Sequence, residues 1–134
     1  MTRPLEVEFS LPPSANRLWR SRVTKSGKPS VYRDPAYKAW VDECCWLVAA
    51  MKPRPKVVGP FTARIILDAG RARKGSDLDN RIKPALDALQ HAGVIEDDSK
   101  AVRVEVVWGD APKGCRVVLT PVTPVVAARM REVA

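Results

Sequence analysis

Asp34-Pro35 and Pro53 bracket the clearest helical pattern in the chain, with Tyr37, Trp40, Val41, Cys44, Leu47, Val48 and Met51 recurring at three- and four-residue spacing. The Asp is a ready N-cap, and the Pro suits the first helical position, where a backbone N–H would have no partner. A helix with one apolar stripe has to bury it against another layer, and the flanking sequence supplies strands for that purpose. From Leu5 to Leu11, Val7, Phe9 and Leu11 alternate with Glu6, Glu8 and Ser10, the pattern of a half-buried strand, which Pro12-Pro13 ends. The β-branched run Phe61 to Leu67 reads as a second strand, reached through the proline- and lysine-rich connector Lys52 to Pro60.

Further along, the spacing predicts a helix carrying Ile82, Leu86 and Leu89 on one face and stopping at Gly93. Val102 to Trp108 and Cys115 to Val122 read as a hairpin closed around Ala111-Pro112-Lys113-Gly114. Thr123-Pro124 caps a short terminal helix, about 124–134, with Val126, Met130 and Val133 inward. The order β-α-β-α-β-β defines an α+β fold, a small single domain over 1–134 with a mixed β-sheet packed by two main helices.

At 134 residues the chain buries roughly two-thirds of its unfolded surface and needs neither metal nor disulfide to fold. Cys44, Cys45 and Cys115 lack metal-ligand spacing and read as reduced, mostly buried thiols. There is no charged-then-apolar leader and no apolar run near ~18 residues, so the expectation is a soluble cytoplasmic protein with no membrane partner. Charge is what departs from the ordinary. Lys plus Arg number 23 against 15 Asp plus Glu, a net charge of +8 that points to a polyanion, most often nucleic acid. Arg17, Arg20, Arg22, Lys25, Lys28 and Arg33 fall in one stretch without an acid, read as a basic loop with Trp19 and Tyr32 among them. Lys52, Arg54 and Lys56 form a second cluster, and Arg71, Arg73 and Lys74 a third.

The sign then reverses. Asp77, Asp79, Asp87, Glu96, Asp97 and Asp98 face only Arg81 and Lys83. Crowded carboxylates repel, and a bound divalent cation is one reason to collect them; scatter over separate faces is the other. If 77–79 is extended, Asp77 and Asp79 project to one side and reach a single hard cation such as Mg²⁺. An EF-hand is excluded, since Ile82 and Ala88 stand where its Gly and Glu belong. Asp79, Lys83 and Asp87 form an i, i+4, i+8 stripe, which makes Lys83 the neighbour of a metal site and Asp87 the group that orients it. The return after Gly93 brings Asp97-Asp98 back along the helix, so that a third carboxylate closes the site. Each piece has a plainer reading alone: Asp-x-Asp as helix capping, Asp97-Asp98 as a solvated turn, Lys83 as an exposed helix lysine. Pro84 argues that this helix starts late or bends.

Taken together, S-D-L-D-N-R-I-K-P-A-L-D-A-L…G-V-I-E-D-D over 76–98 and L-P-P-S-A-N-R over 11–17 resemble the RusA-type Holliday junction resolvases. The resemblance implies a homodimeric, Mg²⁺-dependent endonuclease, with Mn²⁺ as a substitute, that cuts four-way junction DNA in recombination and repair and is bacterial or phage-encoded. It also implies catalytic and metal-holding roles for Asp77, Asp79 and Asp98, a catalytic role for Lys83, and DNA contact at Asn16 and Arg17. Arg20, Arg22, Lys25, Lys28, Arg73 and Lys74 complete the expected DNA surface. Gly75-Ser76 departs from the family pattern, in which a basic residue often precedes the first Asp. Two other classes compete: a non-catalytic module for branched or single-stranded DNA, and a basic scaffold or RNA-binding protein. Divalent-dependent cleavage separates the first from a nuclease; the second leaves the acidic constellation unexplained.

Overall fold

The structure, a computed structural model, describes residues 3–15, 19–23, 25–72 and 78–133, with the backbone alone at 19–22, 29, 32, 33 and 133. Its centre is a four-stranded sheet of β1 (Leu5–Phe9), β4 (Phe61–Asp68), β5 (Ala101–Gly109) and β6 (Cys115–Pro121), in the order β1-β6-β4-β5. β6 runs antiparallel to β1 and to β4, and β4 runs parallel to β5, which makes the sheet mixed. A parallel pair needs a crossover, and here the crossover carries helix α2 (Ile82–His91). Helix α1 (Pro35–Ala49) packs beside α2 on the same face.

Alternation along the strands decides which side is core. Val7 and Phe9, Phe61, Ala63, Ile65 and Leu67, and Cys115, Val117 and Leu119 all point inward, onto Tyr37, Trp40, Val41, Cys44 and Val48 of α1 and Ala85, Leu86, Ala88 and Leu89 of α2. Phe9 meets Trp40 edge-on at 6.2 Å between ring centroids. The opposite face is polar: Glu6 pairs with Arg116 at 3.3 Å and Glu8 with Lys113 at 3.4 Å. Asp34 caps α1 by accepting from Ala36 N at 2.8 Å, as its sequence predicts.

Three expectations need correcting. The basic stretch 17–33 is not simply a loop: β2 (Trp19–Val23) and β3 (Pro29–Arg33) pair antiparallel around a turn at Gly27. Of the described apolar side chains on its strands, Val23 and Val31 are both exposed. β5 and β6 are not a hairpin, because β4 lies between them and pairs with both. Asp68 N donates to Gly114 O at 2.9 Å, tying the end of β4 to the β5–β6 connection. Helix α3 (Pro124–Val133) forms where expected but buries Ala127, while Val126 stays exposed.

The thiols are as the sequence predicts. Cys44 and Cys115 are buried and Cys45 half-buried, all three free. Burial pushes the Cys115 thiol up to about 12. The Cys44 thiol is raised further, by burial first and then by the charge of Glu43. No helix among the described residues is long and apolar enough to cross a membrane.

Candidate active site

The acidic segment enters α2 through a single 3-10 turn, Asp79–Arg81, with Leu78 already in the right-handed helical region. The backbone at Leu78 is therefore not extended, and Asp77 before it lies outside the described residues. Nor does one regular α-helix carry the whole stripe, since Asp79 lies in the 3-10 turn and α2 begins only at Ile82. Pro84 is the third residue of α2, inside the first turn, where the missing N–H removes no intrahelical bond. It resolves into a late helix start. Arg81 Nη1 donates to Pro12 O, which ties the turn to the Pro12-Pro13 exit of β1. The two sequence motifs of the resemblance thus meet in space at that bond.

From α2 onward the stripe is real. Lys83 Nζ lies 2.9 Å from Asp87 Oδ1 and 3.1 Å from Asp98 Oδ2, so one ammonium bridges the helix and the returning loop. These hydrogen bonds, to Asp87 first and Asp98 second, raise the Lys83 pKa above its ordinary value and keep it charged. Asp98 returns because α2 ends in a Schellman turn: Gly93, at φ +79°, donates to Gln90 O and Val94 N to Leu89 O. Val94 and Leu89 are both buried beneath it. Asp97 then caps a short 3-10 turn by accepting from Ser99 N at 2.8 Å, a bond that holds its carboxyl below the usual range.

Two neighbours carry no signal in the sequence. Tyr37, buried on α1, donates its hydroxyl to Asp87 Oδ2 at 3.0 Å, so Asp87 is held from one side while it holds Lys83 from the other. Gln90 Oε1 accepts from Asp98 N at 3.1 Å and pins the loop to α2. Fifty residues separate Tyr37 from Asp87, and no local pattern connects them.

The structure thus brings together Lys83, Asp87 and Asp98, with Asp79 exposed in the turn before α2. Asp77, Asn16, Arg17, Arg73 and Lys74 lie outside the described residues. Arg20 and Arg22 are placed on β2 by backbone alone, and Lys25 and Lys28 are exposed around its turn. Among the described residues no three acidic, His or Cys side chains converge on one point. The donors available are carboxylate oxygens, which suit a hard cation, and Asp98 engages Lys83 through one oxygen only.

A domain of this build, with a basic chain around an acid–lysine cluster on its crossover helix, has the make-up of an enzyme acting on nucleic acid. The family model for Endodeoxyribonuclease RusA matches residues 11–120, and the chain belongs to that family of DNA-cutting endonucleases. It is also similar to a protein described as a crossover junction endodeoxyribonuclease, rusA, from Enterobacteria phage HK97. The two are 31% identical over 116 residues, covering 83% of this chain and 89% of the phage protein.

Proposed function

We propose that this endonuclease resolves four-way DNA junctions by divalent-cation-dependent phosphodiester hydrolysis, with Mg²⁺ the metal and Mn²⁺ a substitute. The observation that carries the reading is the Lys83–Asp98 pair, which sets a cation and a carboxylate 3.1 Å apart within a family of endodeoxyribonucleases. The name of the phage relative supports the junction as substrate.

Asp77, Asp79 and Asp98 would hold the metal, all through hard oxygen donors. A divalent cation bound there supplies a water of lowered pKa and a Lewis acid for the phosphate. Lys83 contributes a fixed positive charge, which offsets charge growing on phosphate or leaving oxygen in the transition state. Asp87 and Tyr37 keep that charge aimed. The β2–β3 ribbon and the basic stretch ahead of Asp77 hold the backbone of the substrate against an otherwise repulsive acidic centre. A four-way junction has near two-fold symmetry, and a C₂ homodimer would set one site at each of two matching strands.

The test is a labelled four-way junction incubated with and without Mg²⁺. Cleavage is expected only with the metal, and Asp77→Asn, Asp79→Asn and Asp98→Asn should each abolish it while junction binding is kept or tightened. Retained cutting in any two of the three removes the carboxylate assignment. Metal-independent binding without any cutting establishes a DNA-binding module instead.

A further inference from the structure

The basic cluster Lys52, Arg54 and Lys56 has no part in the site just described, yet the structure sets it beside an unusual aromatic. Trp46, on the outer face of α1, is 78% exposed, the largest exposure among the bulky apolar side chains described. It lies across α1 from the core residues Tyr37 and Trp40 and takes no part in their packing. Cys45, Trp46, Ala49, Arg54, His91 and Ala92 line an open cavity of about 400 Å³ between the ends of α1 and α2. Lys52, Arg54 and Lys56 are exposed on the connector that follows, and no acid occurs between Cys44 and Val58. Asp42 and Glu43, four and three residues before Trp46, are the nearest acids along α1.

This groove adjoins the candidate active site through α2. Gln90 holds the backbone of Asp98, and the next residue, His91, lines the groove. The connector is stitched to the same loop: Val57 N donates to Val94 O at 2.7 Å, and Gly59 N donates to Glu96 Oε1. The end of the connector is thereby held against the segment that leads into Asp98.

We infer that Trp46, Arg54 and His91 form a subsite for an unpaired nucleotide of the DNA substrate, its base against the indole and its phosphate on Arg54. The inference rests on DNA being the substrate. An indole open to water, in a groove that also holds Arg54 and His91, matches what single strands bind: an aromatic platform beside a positive charge. A base inside a duplex is already stacked on both sides and cannot use such a platform. A four-way junction or a fork offers unstacked nucleotides at its branch point, next to the phosphate to be cut.

The test uses the full chain and two labelled probes, an oligo-dT and a blunt duplex, followed by fluorescence anisotropy. Trp46→Ala should weaken oligo-dT binding by roughly tenfold or more, the loss of one stacked base, and leave duplex binding unchanged. Trp46→Phe keeps a ring and should restore most of the affinity. Arg54→Ala should lower the slope of log affinity against log salt for oligo-dT by roughly 0.7, one phosphate contact. Unchanged oligo-dT binding by Trp46→Ala overturns the inference, as does a loss shared equally with the duplex. A loss confined to self-association in sedimentation overturns it too, since the face would then be an interface between copies. If the wild type cuts junctions while Trp46→Ala binds oligo-dT normally, this inference alone fails. If the Trp46 effect is present and no junction is cut, the proposed reaction fails and the subsite stands.

Discussion

Lys83 shows how a single side chain gains a role through its neighbours. Although 58% exposed, its ammonium is fixed by two carboxylates on different elements, one of them braced by a buried tyrosine hydroxyl. An exposed lysine with no such role loses at most ~0.5 kcal/mol of stability on truncation. Lys83→Ala is expected to lose about a hundredfold in single-turnover cleavage, ~3 kcal/mol of transition-state stabilisation, while binding Mg²⁺ normally. Asp87→Asn should give a smaller loss in the same assay, because it loosens the ammonium without removing it. A Lys83→Ala rate within twofold of wild type removes the lysine from the mechanism.

Among the elements, the β5–β6 connection is the one most constrained. It has to span the width of β4, and it does so with Gly114 at φ +122°, against the chain leaving β1. A Cβ there would fall on Leu11 N and 2.9 Å from the carbonyl carbon of Ser10. Gly114→Ala is therefore expected to cost at least about 1–3 kcal/mol from the backbone strain alone, measured as a lower urea midpoint. The β2–β3 ribbon forms a separate two-stranded sheet, and Lys25 and Lys28 are exposed around its turn. Neutralising Lys25 and Lys28 together should flatten the salt dependence of junction affinity. An unchanged slope means that DNA does not lie on the ribbon.

At the scale of the whole molecule, what the sequence reveals depends on how local the determinant is. Both main helices are readable because their period, the Asp34 cap and the Gly93 stop all lie within the helix or next to it. The Lys83–Asp87 link is readable for the same reason, being one helical turn. Pairing of strands is not. Val102 to Trp108 and Cys115 to Val122 look like neighbours along the chain, and nothing local to either says that β4 lies between them. The ribbon at 19–33 escapes notice because Val23 and Val31, its described apolar side chains, are exposed and give no core-facing stripe. Of the site, Asp98 depends on a helix-ending turn, and Tyr37 on the packing of α1 against α2.

The sheet order also has a consequence in time. β1, near the start of the chain, takes its hydrogen-bonded neighbour from β6, more than a hundred residues later. β4 likewise waits for β6 to fill its second edge. Contacts so distant make for slow folding, because the loop between them has to close before any pairing rewards it. During synthesis, a ribosome-stalled chain ending near residue 110 has its first strand made and nothing to zip it to. Such a nascent chain should be cut readily by protease between β1 and α1, and protection should appear only once β6 has left the exit tunnel. Protection in the shorter chain would mean that the helices and β4–β5 hold the amino-terminal strand by themselves.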